Sequence, residues 1–159
     1  MRDVVYELLA DRPELIEPAG LLRFREWGRP PEPDDPQWWI TVTGDEAGRT
    51  GLPVTYVASD VAGELLGTVG IAEFDPDDLT DRSPWVIGMV VRPDRRGEGI
   101  GRTLVGMLEP HAAGLGYDGI WVATGPPATA FYERCGYRPM QIVRHAQYGW
   151  ETHILHRQV

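Results

Sequence analysis

The chain has 159 residues, 42% of them hydrophobic, with a formal charge of −9 and a pI near 4.8. That length holds one sizeable core and not comfortably two, so a single domain over residues 1–159 is expected. The acidity argues against nucleic-acid backbone as the main partner, because phosphate binding needs a cationic surface. One cysteine, Cys135, excludes an internal disulfide, and there is neither an apolar run of eighteen residues nor a basic-plus-apolar leader, so a cytoplasmic protein that spans no membrane is expected.

In chain order, Asp3 to Leu9 reads as a first strand. Glu17 to Trp27 reads as a helix with Pro18 in its first turn and Leu21, Leu22 and Phe24 among its apolar residues. Gly28 to Pro36, with four prolines and three acids, is a loop. Trp38 to Val42 is too short an apolar run for periodicity to decide, and helix is the reading favoured. Pro53 to Ser59 and Glu64 to Phe74 are rich in β-formers and flank a short Asp-Val-Ala-Gly turn, the pattern of a hairpin.

Asp75 to Ser83 is an acidic loop leading into an apolar strand, Pro84 to Val91. The next helix is marked by Ile100, Leu104, Met107, Leu108, His111 and Leu115 at helical spacing, with a kink expected at Pro110 and stop signals at Gly114 and Gly116. Gly119 to Ala123 follows as a strand. Gln141 to Arg144 and Thr152 to Leu155 suggest a closing hairpin, and there is no internal repeat or low-complexity segment. Mixed strands with helices between them imply an α/β fold with a central mixed sheet flanked by helices.

The most informative stretch is Arg96-Gly97-Glu98-Gly99-Ile100-Gly101, between a strand and a helix. Glycines at alternate positions leave backbone N–H groups uncovered at the positive end of a helix, where an anion can accept several of them. Two common phosphate loops fail on spacing. The nucleoside-triphosphate loop would need glycine at Arg96 and lysine at Arg102, and the dinucleotide fingerprint started at Gly97 ends on Arg102 instead of glycine.

Val91-Arg92-Pro93 followed by Arg96 to Gly101 resembles the acyl-CoA loop of the GNAT superfamily of N-acyltransferases, Arg/Gln-x-x-Gly-x-Gly/Ala after a strand ending in Val-x-Pro. About thirty residues on, Ala128-x-x-Phe131-Tyr132-x-x-x-Gly136-Tyr137 resembles the second block of that family. The likeness is close over Ser83 to Pro139 and elsewhere extends to the order of elements.

The resemblance implies a GNAT-like fold whose fourth and fifth strands splay apart to admit the pantetheine arm of acetyl-CoA, the co-substrate. Met89, Val90 and Val91 would lend main-chain hydrogen bonds to that arm. Arg96, Gly97, Glu98, Gly99, Ile100, Gly101 and Arg102 would hold the pyrophosphate, with side-chain help from Arg95, Arg96 and Arg102. Ala128, Phe131 and Tyr132 complete the cofactor-binding set. The implied activity is transfer of an acetyl group to a primary amine, in a small molecule or a peptide, by direct attack within a ternary complex. Tyr132 would act as the general acid that protonates the departing thiolate. One departure stands out: many relatives carry asparagine three residues before the motif alanine, and this chain has Gly125 there, followed by Pro126-Pro127.

The general base is not legible. Glu73 and Asp75 at the end of the third strand, Glu26, His145 and His153 are the candidates, with Glu73 carried forward as the catalytic choice. Cys135 has no evident histidine partner, so covalent catalysis is set aside. Four histidines and one cysteine show no ligand spacing, so no metal is expected. The acidic surface serves either solubility or the steering of a cationic amine. Trp27, Trp38, Trp39 and Trp85 either pack the core or wall an acceptor cleft whose ring faces could bind a cation. A homodimer is left open, as are a CoA-binding regulatory domain without turnover and an unrelated phosphate-loop protein.

Overall fold

β-Branched and small residues dominate Leu65–Ala72, and in the computed structural model every residue of this strand up to Ile71 is buried, as an interior strand covered on both faces must be. The structure describes residues 3–75, 79–145 and 149–159. Seven strands form one mixed sheet: β1 (Val4–Leu8), β2 (Val54–Asp60), β3 (Leu65–Ala72), β4 (Trp85–Val91), β5 (Gly119–Thr124), β6 (Arg138–His145) and β7 (Trp150–Gln158), in the order β1-β2-β3-β4-β5-β7-β6. All neighbours are antiparallel except β4 and β5.

Alternation along the strands, shifted by one residue where β3 and β4 slip past each other, divides the core between two faces. On one, Val54, Ala58, Leu66, Ile71, Val86 and Val91 meet Ile100, Leu104, Val105 and Leu108 of α3 (Ile100–Gly114). On the other, Val57, Leu65 and Val90 meet Ala19 and Leu22 of α1 (Ile16–Trp27). Fully buried side chains such as Leu104 and Leu108 each contribute on the order of 2 kcal/mol over their exposed state. The helix runs through Pro110 to Gly114, and Gly116, with φ +89°, takes the left-handed turn that releases the chain.

Trp38–Val42 is helical, within α2 (Pro36–Asp45). The reason lies one turn earlier: the Asp35 carboxylate accepts from the Gln37 N–H at 3.0 Å, and Pro36 takes the first helical position, where no N–H is needed. Asp35→Ala should therefore cost about 1 kcal/mol, read as a lower urea midpoint with an unchanged slope.

β4 and β5 are in register at a single pair, Trp85 with Trp121, supplemented by the Trp121 N–H to the Pro84 carbonyl at 2.9 Å. Trp85 is wholly buried there, its Nε1 donating to the Arg82 carbonyl at 2.9 Å, and Arg82 lies over the Trp121 ring at 5.1 Å. Beyond this aromatic clasp the strands part. Trp85 thus belongs to the core at the closed end of the gap, not to the wall of a cleft.

Candidate functional site

The parted strands open onto a cavity of about 1080 Å³, lined by Val86–Val91 on one side and 122–125 on the other. β4 is not smooth along this edge. Its register with β3 slips between Thr68 and Gly70, and Gly88 takes a φ of +53°, so a bulge interrupts the strand beside the cavity. Met89, Val90 and Val91 follow the bulge and line the cavity.

At the end of β4 a short 3-10 turn, Pro93–Arg95, leads to the glycines. Gly97 and Gly99 have φ of +83° and +85°, and no atom lies within 4 Å of where a Cβ would stand on either. α3 starts immediately after, its first intrahelical bond running from the Thr103 N–H to the Gly99 carbonyl at 3.1 Å. The N–H groups of Ile100, Gly101 and Arg102 therefore have no acceptor within the helix, and they face an open, left-handed backbone that favours anions. Gly101 has a different duty. A Cβ there would stand 3.3 Å from the Phe131 ring and 3.5 Å from Val91, so its bareness lets the helix pack closely against both.

The charges around this loop are sorted by their partners. Arg95 is buried and grips Glu98 through two bonds of 2.8 and 3.0 Å, which turns Glu98 away from the cavity. Arg96 is pinned by its Nε to the Val91 carbonyl at 2.9 Å and by Nη2 to Glu26 at 3.1 Å. Arg102 and Arg134 also border the cavity and, among the described residues, have no ion-pair partner. They are the cations left to meet a phosphate.

Past β5, Gly125 leads into a 3-10 turn, Pro126–Ala128, and then α4 (Thr129–Arg134). Gly125, Pro127, Ala128, Phe131 and Tyr132 line the cavity. Gly125 has φ −73° and ψ 162°, ordinary extended backbone, so glycine is not required there. Tyr132 is 5% exposed and wedged edge-on between Phe131 and Tyr137. Burial, with smaller contributions from Cys135 and Asp75, raises its phenol well above the usual range, so the hydroxyl keeps its proton at neutral pH.

The opposite wall is aromatic and acidic. Trp27 and Trp39 stack with centroids 6.2 Å apart, Trp38 meets Trp39 edge-on at 5.1 Å, and the Trp39 Nε1 donates to the Pro33 carbonyl at 2.8 Å, tying the preceding loop to α2. Glu26, Glu32, Glu46 and Asp75 are the lining carboxylates among the described residues.

The structure therefore brings together Met89, Val90, Val91, Arg96, Gly97, Gly99, Ile100, Gly101, Arg102, Ala128, Phe131 and Tyr132 around one cavity. The Glu98 side chain is held away by Arg95, which leaves only its main chain to the loop, and Glu73, just past β3, is exposed and does not border the cavity. His145 contacts the Thr152 hydroxyl at 2.8 Å and His153 contacts Glu151 at 3.1 Å, both away from the cavity. Burial raises the Cys135 thiol, the opposite of what a nucleophile needs. Sequence reasoning missed Arg23, Thr43, Glu46 and Gly88, which all line the cavity. An arginine on the same helical face as Ala19 and Leu22 was the available signal for the first of them.

No group of three or more metal-ligating side chains occurs among the described residues, and no described helix is long and apolar enough to cross a membrane. The family model of the acetyltransferase (GNAT) family matches residues 4–137, and the chain belongs to that family. Solved structures agree in fold. An aminoglycoside 6'-N-acetyltransferase complexed with coenzyme A is 17% identical with a TM-score of 0.79, over 97% of this chain and 96% of that one. Aminoglycoside 6'-acetyltransferase type Ii is 22% identical with a TM-score of 0.72, over 97% and 96%. An IAA acetyltransferase from Bacillus cereus is 21% identical with a TM-score of 0.69, over 99% and 100%. Among curated proteins none matches this chain.

Proposed function

We propose that this protein is an N-acetyltransferase that moves an acetyl group from acetyl-CoA to a primary amine by direct attack in a ternary complex. The observation that carries this reading is one continuous cavity joining an anion-seating loop, an unpaired strand edge, a protonated tyrosine and an acidic, aromatic wall. When bound, acetyl-CoA supplies the acetyl thioester.

The chain's own groups divide the remaining work. N–H groups from Gly97 to Arg102, with Arg102 and Arg134, hold the diphosphate at the start of α3. Main-chain groups of Met89, Val90 and Val91, on a stretch of β4 with no register partner in β5, hold the extended arm and aim it at the bulge, the Val91 carbonyl being shared with Arg96. Tyr132 gives its proton to the departing sulfur.

The acceptor meets Trp27, Trp38, Trp39, Glu32 and Asp75, a wall suited to a cationic amine, through ring faces and through carboxylates. The acidic loops assigned to steering are Glu32 to Asp35 and Asp75 to Asp81, of which 76–78 lie outside the described residues. Mass spectrometry of an amine panel incubated with acetyl-CoA and the protein should show one acetyl group added at nitrogen.

Steering by exposed carboxylates is screened by salt, the Debye length falling from about 10 Å at 0.1 M to about 3 Å at 1 M. With acetyl-CoA saturating, kcat/KM for a polyamine or aminoglycoside should fall as NaCl rises, and that for a monoamine should fall less. Equal salt slopes would return the acidic surface to a role in solubility.

A further inference from the structure

Among the described residues four carboxylates border the cavity, and their surroundings are unequal. Glu26 is engaged by Arg96 of the glycine loop at 3.1 Å, and Glu32 and Asp75 are exposed. Glu46, at the end of α2, has a side chain only 25% exposed, and its Oε1 accepts from Arg23 Nη1 at 2.7 Å. Arg23 comes from α1 and its side chain is 3% exposed. Its other contacts are long, 3.4 Å to the Thr43 and Thr68 hydroxyls, and its Nη2 is buried without a hydrogen-bond partner among the described residues.

The guanidinium lies against the bulge of β4. A Cβ on Gly88 would stand 2.5 Å from Arg23 Nη2, so glycine at 88 is what lets this cation reach the strand that borders the cavity. Thr68 Oγ1 closes the arrangement by donating to the Gly88 carbonyl at 2.7 Å. An ion pair kept for stability alone is expected to have its remaining donors satisfied, because an unsatisfied buried charge is costly. This one keeps an unsatisfied donor, sits beside the bulge that precedes Met89–Val91, and has both of its residues in the lining of the cavity.

Resting on the transferase reading above, we infer that Glu46 is the base that takes the proton from the acceptor's ammonium, with Arg23 as the residue that positions it. The balance closes as follows. The ammonium gives one proton to Glu46, which passes it to solvent. The nitrogen forms its bond to the acetyl carbon, and the carbon–sulfur bond breaks with its electron pair on sulfur. Sulfur takes the Tyr132 proton, and the second proton shed by nitrogen restores the phenol. The products are an amide, a thiol and one free proton. Burial raises the Glu46 carboxyl, Arg23 opposes that rise and Asp45 adds to it slightly, which moves the group towards the range useful to a base.

The test compares Glu46→Gln with the parent on two acceptors, a primary alkylamine that is an ammonium at neutral pH and a hydrazide that is already neutral. Glutamine keeps the volume and an oxygen for Arg23. For the alkylamine, kcat/KM should fall about a hundredfold or more, and for the hydrazide about tenfold or less, because proton removal is what a general base contributes. Glu46→Asp, which keeps a carboxylate, should retain more alkylamine activity than Glu46→Gln, and both variants should keep calorimetric affinity for CoA. Equal losses on the two acceptors, equal losses in the two variants, or no loss would overturn the assignment. The alkylamine is the amine of the panel that the parent acetylates fastest, and a parent enzyme that acetylates no amine would instead sink the transferase reading itself.

Discussion

Tyr132→Phe should lower kcat on any accepted amine by roughly a hundredfold to ten-thousandfold, the usual worth of general acid catalysis. The substitution keeps the ring between Phe131 and Tyr137 and removes one oxygen from a cavity wall, so the fold and the affinity for CoA should be unchanged. The sign follows from the environment. Burial holds the phenol protonated well above neutral pH, so Tyr132 enters the reaction as a donor and cannot serve as a resting base. Steady-state kinetics beside a calorimetric titration with CoA separate the two effects. A turnover within about twofold of the parent lies below the range of acid catalysis and would assign Tyr132 to packing alone.

The second large effect belongs to the glycine loop. Gly99 holds a φ of +85° with open space where a side chain would stand, and it caps α3 at the point where the helix's first N–H groups lie unpaired. Valine there meets two obstacles. A β-branched residue resists the left-handed conformation, and its methyl groups would occupy the approach of phosphate oxygens to the main chain. Gly99→Val should reduce CoA affinity by several kcal/mol, on the scale of losing charge-assisted bonds to a phosphate. Backbone strain from a single left-handed residue is worth about 1–2 kcal/mol, so the domain should remain folded. Circular dichroism and a thermal melt establish the fold, and titration with CoA reads the loss. A folded variant with full affinity would remove the loop from the binding site.

Much of this architecture is legible along the chain because it is written in local patterns. The run Trp85 to Val91, the alternate glycines and the apolar spacing of α3 each require only neighbouring residues to be read, and each stands where it was expected. The short run Trp38 to Val42 was ambiguous by periodicity, yet Asp35 and Pro36 carry the cap that decides it. Tyr132 and the glycines meet around one cavity because β4 and β5, although neighbours in the sheet, pair only at Trp85 and Trp121 and then part, a feature of pairing between distant segments that no local pattern encodes.

What was not legible depends on contacts between distant segments. Glu73 stands at the end of a strand, but its side chain is exposed and does not border the cavity, whereas the next two residues, Phe74 and Asp75, do. Arg23 and Glu46 are apart in sequence and adjacent only because α1 and α2 pack together, and Gly88 matters only because Arg23 reaches it. Trp85, one of several tryptophans whose sequence fits either a core or a cleft wall, is consumed by the clasp that closes β4 against β5.

The measurement that bears most directly on the central claim is release of the CoA thiol from acetyl-CoA, followed with and without an amine across polyamines, aminoglycosides, amino acids and peptide N-termini. Direct attack in a ternary complex predicts release that depends on the amine, saturates in both substrates and matches N-acetylated product one for one. Tight binding of CoA with no amine-dependent release from any member of the panel would contradict it and leave a binding domain without turnover.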